Sequence, residues 1–341
     1  MAVKNDRKKS TYQEIAAEAE VSIATVSRIL TGASKVKPET RDKVLEIMAR
    51  HGYDTADLQM VKQPQTSGII IFNIPSLGNP FYSQIASGAK AAARRHGFQL
   101  LVNEEHINSN TIATLTGLIQ KVNAAGIITT NHVPTPLLRK LYDTLPLVQC
   151  CEFDNELEIP YVSIDDIAAT KATMEYLISL GRRRIAFVNG PMRYKYARQR
   201  LKGYTESLEK AGMAQDPALV IQLPDVSYDM AVSAVGQLLA SPQKPDAFFC
   251  ISDVYAAAVV KSCARSGINV PRDMMVTGFD NLDIASMVNP AITTVNQPKY
   301  QLGFSSCELL VDLINNPQTG VRRILLETEL IVRESTSPLI S

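Results

Sequence analysis

The stretch TYQEIAAEAEVSIATVSRIL, residues 11–30, holds two short apolar periodicities with room for only a tight turn between them. Thr11 followed by Glu14 is a capping box, and Ile15, Ala16 and Ala19 give one narrow apolar face, which predicts a helix of about two turns. Glu20 and Val21 then leave space for a turn before Ser22, a good N-cap, opens a second helix. In that helix Val26, Ile29 and Leu30 can turn inward together, while Ile23, Ala24, Thr25, Ser27 and Arg28 populate the remaining surface. A third helix is expected from Pro38 at its first position, through Val44, Leu45 and Met48, to a stop at Gly52. Three short helices with one shared apolar seam make a minimal bundle.

The spacing of the first two helices matches a helix-turn-helix, whose second helix lies in the major groove with its early side chains against base edges. Ile23 and Ala24 would offer apolar surface to a thymine methyl. Thr25 and Ser27 can donate to phosphate or base, and Arg28 can reach a guanine edge or a phosphate. The competing reading is a small helical cap on an enzyme, with Arg28 as a solvated surface arginine. Charge favours DNA: residues 1–51 contain ten Lys/Arg against seven Asp/Glu, a balance of +3, although the whole chain carries only +1. The lead MAVKNDRKKS, residues 1–10, reads as a basic arm.

At 341 residues the chain exceeds what one hydrophobic core usually fills, so more than one domain is expected. With 45% hydrophobic and 20% charged residues it is ordinary folded material rather than disorder. From Thr66 the pattern changes: SGIIIFNIP is a short apolar strand, NPFYSQIASGAKAAARRHG an amphipathic helix closed by Gly97, and FQLLV the next strand. The same grammar returns in ATKATMEYLISLGRRRIAFVNGP, in RLKGYTESLEKAGM and in DVYAAAVVKSCARSGINVPRDMMVTGFD. Such alternation reads as βαβ units around mostly parallel sheets, and there are too many units for one sheet, so two doubly wound lobes are inferred.

A ligand of such lobes sits outside the carboxyl ends of the strands, in the crevice between them. That rule selects Asn79, Pro80, Phe81 and Tyr82 after the first strand; Asn189, Gly190 and Pro191 after IAFVN, with Tyr194, Tyr196 and Arg200 just beyond; Ser252 and Asp253 after AFFCI; and Asp280 and Asn281 after MMVTGF. A polyhydroxylated ligand suits this set, because carboxylates accept its hydroxyl protons, Arg200 donates in a fixed fork and an aromatic ring covers an apolar face. A nucleoside suits it nearly as well. Structural roles stand beside these: Phe81 as core, Asp253 as a helix N-cap, and Arg200 as the partner of a surface carboxylate.

The chain has no GxGxxG after the first strand, no GxxxxGK[ST] and no GxSxG elbow, and no histidine follows the key strands, so binding is a more economical reading than catalysis. Cysteines 150, 151, 250, 263 and 307 form no CxxC unit and read as buried thiols, and the four histidines make no ligand set; no metal or other cofactor is called for. No apolar run approaches the length of a membrane span and residues 1–20 lack a signal-peptide core, so the expected compartment is the cytoplasm, with no membrane partner.

Taken together these segments resemble the lactose/galactose/purine repressor family of bacterial transcription regulators. The resemblance runs from Thr11 to about Ser337 and rests on YQEIAAEAEVSIATVSRIL with VKPETRDKVLEIMARHGY, then NPFYSQIASGA, SIDD at 163–166, LGRRRIAFVNGP, RLKGY, AFFCISD, VPRDMMVTGFDN, PAITTVNQP and ELIVRES. It implies a helix-turn-helix headpiece (residues 11–53), a linker (54–66) and a periplasmic-binding-protein-like core (67–341) that binds a small-molecule effector and forms a homodimer on double-stranded operator DNA. Lobe 1 would comprise about 67–163 and 294–326, and lobe 2 about 164–293 and 327–341. Thr11, Tyr12, Ser22, Ile23, Ala24, Thr25, Ser27 and Arg28 take DNA-contacting positions. Phe81, Arg200 and Asp280 take effector-contacting positions, with Tyr194, Tyr196, Val226, Ser252 and Asp253 lining the same region.

Two features depart from the family. The linker stretch YDTADLQMVKQPQTSG is short and lacks the usual alanine-arginine-x-leucine pattern, leaving Leu58, Met60 or Val61 as the minor-groove wedge. Ile23-Ala24 replaces polar base readers, so operator preference should lean on apolar contacts and DNA shape. The functional expectation is a repressor whose operator affinity follows a bound metabolite, a sugar or polyol before a nucleoside or purine. The alternatives are a carbohydrate or nucleoside enzyme with a helical cap, or a regulator whose core binds a protein. Replacing Arg28 with alanine is expected to relax or abolish operator preference in a gel-shift titration while effector binding stays intact; an unchanged sequence preference would displace the recognition helix from this position.

Overall fold

The computed structural model describes residues 11–30, 36–51, 53, 68–242, 244–318 and 320–337. The basic arm at 1–10 and the wedge candidates Leu58, Met60 and Val61 lie outside the described residues. The chain divides into two compact units, Met1–Gly68 and Ile69–Ser341.

In the first unit α1 (Tyr12–Ala19), α2 (Ile23–Leu30) and α3 (Pro38–Arg50) enclose a small core of Ile15, Ala16, Ala19, Val26, Ile29, Val44, Leu45, Ile47 and Met48. The capping box forms as expected, with the Thr11 backbone N–H donating to Glu14 Oε2 at 2.8 Å. Glu20 ends α1 in the left-handed region, φ 60°, which lets the Val21 N–H reach back to the Ala16 carbonyl at 3.0 Å and turns the chain sharply into α2. Ser22 caps α2, its hydroxyl accepting from the Thr25 N–H at 3.1 Å.

The second unit contains two six-stranded sheets. The first is built from β1 (Ile69–Ile74), β2 (Gln99–Glu104), β3 (Gly126–Thr129), β4 (Leu147–Cys150), β5 (Tyr161–Ile164) and β11 (Arg323–Leu326), in the order β11-β5-β4-β3-β1-β2. The second takes β6 (Ile185–Asn189), β7 (Val220–Gln222), β8 (Ala247–Cys250), β9 (Met275–Asp280), β10 (Thr293–Asn296) and β12 (Glu329–Ile331), in the order β12-β10-β9-β8-β6-β7. All pairings are parallel except β10 with β12. Strands such as FFC and IIIF are apolar at every position because helices cover both faces. Those helices are α4 (Phe81–Arg95), α5 (Ile112–Val122), α6 (Thr135–Tyr142), α7 (Asp166–Ser179), α8 (Lys195–Lys210), α9 (Tyr228–Ala240), α10 (Asp253–Arg265), the short α11 (Asp283–Met287) and α12 (Lys299–Asn315).

The chain passes between the sheets three times. The crossing expected near residue 294 falls instead after Asn296, because Thr293–Asn296 pairs with β9 and β12 and is an inner strand of the second sheet. Both sheets repeat one order, in which the second strand lies outside the first and the third on its other side, so each has a topological switch beside its first strand. The carboxyl ends of β1, β3, β4 and β5 therefore meet those of β6, β8, β9 and β10 across one crevice. Among the described residues no helix is long and apolar enough to cross a membrane.

Lobe 1 is closed by α12, which packs on β3, β4 and β5 and presses against α4. The two helices cross at glycines: a Cβ on Gly303 would sit 1.8 Å from the Ile85 carbonyl oxygen, and one on Gly88 would sit 2.0 Å from that of Tyr300. Backbone cannot yield as a side-chain tip can. Gly303→Ala is therefore expected to destabilise the core by about 3 kcal/mol, read as a lower urea midpoint at unchanged m-value; an unchanged midpoint would mean the helices do not approach this closely.

Candidate functional site

Two sites emerge, one in each unit. In the headpiece α2 presents Ile23 to solvent at 47% exposure, so an apolar side chain stands at the start of the recognition helix. The Ser22 and Thr25 hydroxyls lie 2.8 Å apart and bond to each other, which makes Ser22 a helix cap first and leaves the Thr25 hydroxyl already partnered. Tyr12 is exposed and stacks on Tyr53, ring centroids 6.2 Å apart. Ala24, Ser27 and Arg28 are the second, fifth and sixth residues of α2; their side chains, with that of Leu30, lie outside what is described.

The second site is the crevice between the lobes. Its inner cavity has an empty volume of about 530 Å³, open mouth included, and is lined from both sheets, lobe 1 giving Phe81, Tyr82 and Glu152 and lobe 2 giving Tyr196, Arg200 and Asp280. Val226 and Ser252 line it as well. Tyr194 instead borders an adjoining chamber with His106 and Asp225, its ring stacked on Tyr196 at 5.3 Å.

At the centre is a buried ionic cluster. Asp166, the first residue of α7, accepts from Arg200 Nε at 2.8 Å and from Lys195 Nζ at 2.7 Å. Arg200 also donates through Nη1 to the Ile251 carbonyl at 2.6 Å, lies 3.9 Å from Asp280, and packs flat on the Phe279 ring at 3.5 Å. Burial works against the charge of Asp166, but Lys195 and Arg200 outweigh it and hold the carboxyl below its usual range. Asp280 accepts from Gln297 Nε2 at 2.6 Å, and the Lys299 ammonium donates to its backbone carbonyl. Burial raises the Asp280 carboxyl to about 6, against the pull of Arg200 and Lys299.

The sequence reading placed Asp253 against the effector, and here the structure corrects it. Asp253 does not line the cavity: Oδ2 accepts from the Leu282 N–H at 2.7 Å and Oδ1 from the Thr294 hydroxyl at 2.6 Å, so both oxygens are spent inside lobe 2. The carboxylate fits because residue 278 is glycine; a Cβ there would lie 2.2 Å from Asp253 Oδ1. Ser252 is the N-cap of α10, accepting from the Val254 N–H at 3.3 Å. Phe81 is both core and cavity wall, buried with its ring edge-on to Tyr82 at 5.3 Å.

Sequence reasoning missed Glu152, Asp166, Lys195 and Gln297. Glu152 comes from the loop after β4, is 4% exposed, and accepts from the backbone N–H groups of Lys195 at 2.7 Å and Tyr196 at 3.2 Å across the crevice. Applying the strand-end rule to β4, β5 and β10 as well would have found Glu152, Asp166 and Gln297. The adjacent thiols of Cys150 and Cys151 drew the reading of that segment towards plain core; the Cys150 thiol beside it and its own burial push the Cys151 thiol up.

A helix-turn-helix head on the same chain as a two-lobed crevice core defines a DNA-binding transcription regulator. The comparisons carry this to a family. Residues 11–56 match the bacterial regulatory proteins, lacI family, and residues 174–336 a periplasmic binding protein-like domain. The transcriptional repressor CytR of Escherichia coli K12 is 32% identical over 341 residues, 99% of this chain and all of that protein, and the regulator CelR of Thermobifida fusca is 33% identical over 96% of this chain and 99% of that protein. The solved CelR–cellobiose complex superposes with a TM-score of 0.73 at 31% identity over 96% of this chain and 99% of that one; the lac repressor dimer bound to operator and the anti-inducer ONPF gives 0.72 at 25%, with the same coverage. The chain belongs to the lacI family of bacterial regulatory proteins and is a DNA-binding regulator, not an enzyme.

Burial raises Asp253 to about 7, with the charge of Asp280 adding to the effect, against an ordinary value of 3.8. A carboxyl whose folded pKa lies above its unfolded one contributes stability that is full below about pH 4 and lost as pH rises towards about 7. The core should thus be more stable at pH 5 than at pH 7.5 by a few kcal/mol, measured by urea denaturation. Asp253→Asn, whose amide can still accept from Leu282 and donate to Thr294, should flatten that slope; a slope unaltered by the substitution would place its source elsewhere.

Proposed function

We propose that this protein is a repressor that binds a nearly palindromic operator as a homodimer and whose operator affinity is set by a sugar or polyol held between the lobes of its core. The observation that carries the reading is the Arg200 guanidinium, buried at the cavity wall between Asp166 and Asp280 with the rings of Phe279 and Tyr196 against its face. A hydroxylated ring asks for this mixture: Asp280 accepts hydroxyl protons, Arg200 donates, and Phe81, Tyr196 and Val226 cover apolar edges. Ser252 adds a hydroxyl at the same wall. The complex of the related regulator CelR with cellobiose supports a carbohydrate.

A second reading is favoured by one observation. The stacked Tyr194 and Tyr196 rings, 5.3 Å between centroids, offer a flat aromatic face at the cavity mouth that suits a nucleoside base.

On the DNA side, two headpieces would enter successive major grooves one helical turn apart, with Ile23 and Ala24 against base edges, Arg28 on a guanine or phosphate, and Thr11, Tyr12, Ser22, Thr25 and Ser27 positioning α2 on the backbone. The two sites are then linked: whatever factor the effector applies to operator affinity, the operator applies to effector affinity. Titration calorimetry on free and operator-bound protein should give unequal effector affinities; equal values would sink the linkage.

Replacing Asp280 with asparagine removes one charged acceptor, a change of about 1.5–3 kcal/mol, or roughly tenfold to a hundredfold in effector affinity. Operator affinity and its salt slope should be unchanged in the absence of effector. Unchanged effector affinity would take Asp280 out of the binding set.

A further inference from the structure

We infer that the effector is electrically neutral, and that Glu152 is the residue that turns phosphorylated sugars and nucleotides away from the crevice. The inference rests on the effector reading above and sharpens it from a size and shape to a charge.

A helix N-terminus is a ready-made site for a ligand phosphate, because its unpaired N–H groups and the helix dipole point at the anion. Helices α4, α7, α8 and α10 begin at the crevice with a first turn already served by an oxygen of the protein; α12 begins just past Gln297 without a side-chain cap, its Lys299 ammonium held on the Asp280 carbonyl. Asn79 Oδ1 accepts from the Phe81 N–H at 3.1 Å on α4, Asp165 Oδ1 from Ala168 at 2.9 Å on α7, and Ser252 Oγ from Val254 at 3.3 Å on α10.

Helix α8 differs in where its cap comes from. Its N-cap residue, Tyr194, supplies no side-chain acceptor. The acceptor is instead the carboxylate of Glu152, reaching over from lobe 1 to take the Lys195 and Tyr196 N–H groups, one on each oxygen. A built-in anion thus occupies the place where a ligand anion would dock.

The cations nearby are committed as well. The Lys195 ammonium is held by Asp166 at 2.7 Å and the Ser163 hydroxyl at 3.1 Å, and Arg200 spends Nε on Asp166 and Nη1 on the Ile251 carbonyl. Three carboxylates line the inner cavity against one guanidinium, and the buried ammonium groups of Lys195 and Lys299 beside it only bring the count level, so no positive charge is left over. Of two adjoining chambers, the one at Tyr194 is lined by Asp225 and by no lysine or arginine, and the one at Glu152 sets Lys195 and Arg198 against Glu152, Asp154 and Glu156. An added phosphate would find no unmatched positive charge and would meet the Glu152 and Asp280 carboxylates in surroundings that screen it poorly. A neutral hydroxylated molecule meets acceptors, and of Arg200 the Nη2 group that Asp166 and Ile251 do not take.

The test is titration calorimetry on the full-length protein with matched pairs: ribose and ribose 5-phosphate, glucose and glucose 6-phosphate, adenosine and AMP. The neutral member of at least one pair should bind, with its phosphate ester at least about 100-fold weaker. Glu152→Gln should narrow that gap about tenfold or more, since it removes the charge and keeps one acceptor for α8.

A phosphate ester that binds as well as or better than its parent overturns the inference. A gap that Glu152→Gln leaves unchanged overturns the assignment to Glu152, and the wild-type comparison stands even if that variant does not fold. A neutral compound that binds selectively but leaves operator affinity unaltered supports the charge selectivity and overturns the regulatory reading above. Binding of neither member of any pair overturns both.

Discussion

Asp166 holds the crevice together. Removing a carboxylate, an ammonium and a guanidinium from water costs several kcal/mol for each ion, and the cost is offset only when every group finds a partner in good geometry. Here they do. Asp166 opens α7, Lys195 and Arg200 lie in the first two turns of α8, Lys195 reaches Ser163 on β5, and Arg200 reaches the carbonyl of Ile251 at the end of β8. One carboxylate therefore ties two helices and two strand ends, from both lobes, to a single point. The guanidinium that faces the cavity is oriented by groups behind it, which is how a long side chain is pre-set to meet a ligand without losing rotamer freedom at that moment.

The rest of the site follows from where strands end. Two sheets with the same strand order bring their carboxyl ends together, and each loop beyond them has one short stretch in which to place a polar group. Lobe 2 places Asp280, Ser252 and Arg200 there; lobe 1 places Phe81, Tyr82 and Glu152. Asp253 shows how narrow the margin is. It follows Ser252 directly in the chain, and yet one residue further into α10 its carboxylate faces the interior of lobe 2, in the space that Gly278 leaves.

Much of this was legible in the chain. The capping box at Thr11 and Glu14, the cap at Ser22 and the alternation of apolar strands with helices are local signals, and the structure contains them at those positions. Phe81, Arg200 and Asp280 could be placed at the crevice because the strands β1, β6 and β9 before them are unmistakable. What could not be read depends on partners distant in sequence. Whether Thr293–Asn296 belongs to one lobe or the other is decided by pairing with β9 and β12, not by its own composition. Glu152 gains its place from the backbone of a helix more than forty residues away, on the opposite lobe. Asp253 was misassigned because the start of a helix at a strand end serves ligands and internal caps alike.

The glycine crossing of α4 and α12 also bears on the order in which the molecule can be made. Helix α4 leaves the ribosome early, with the first strands of lobe 1, but α12 and β11 lie beyond residue 298, after all of β6–β10. Until then the face of α4 that α12 covers, and the faces of β3 and β4 beneath α12, have no partner. Most of lobe 2 is in effect inserted into lobe 1, and each lobe receives its last strand, β11 and then β12, only near residue 330. The unfinished lobe exposes apolar surface for most of the time of synthesis, the interval in which a nascent chain most needs a chaperone's protection.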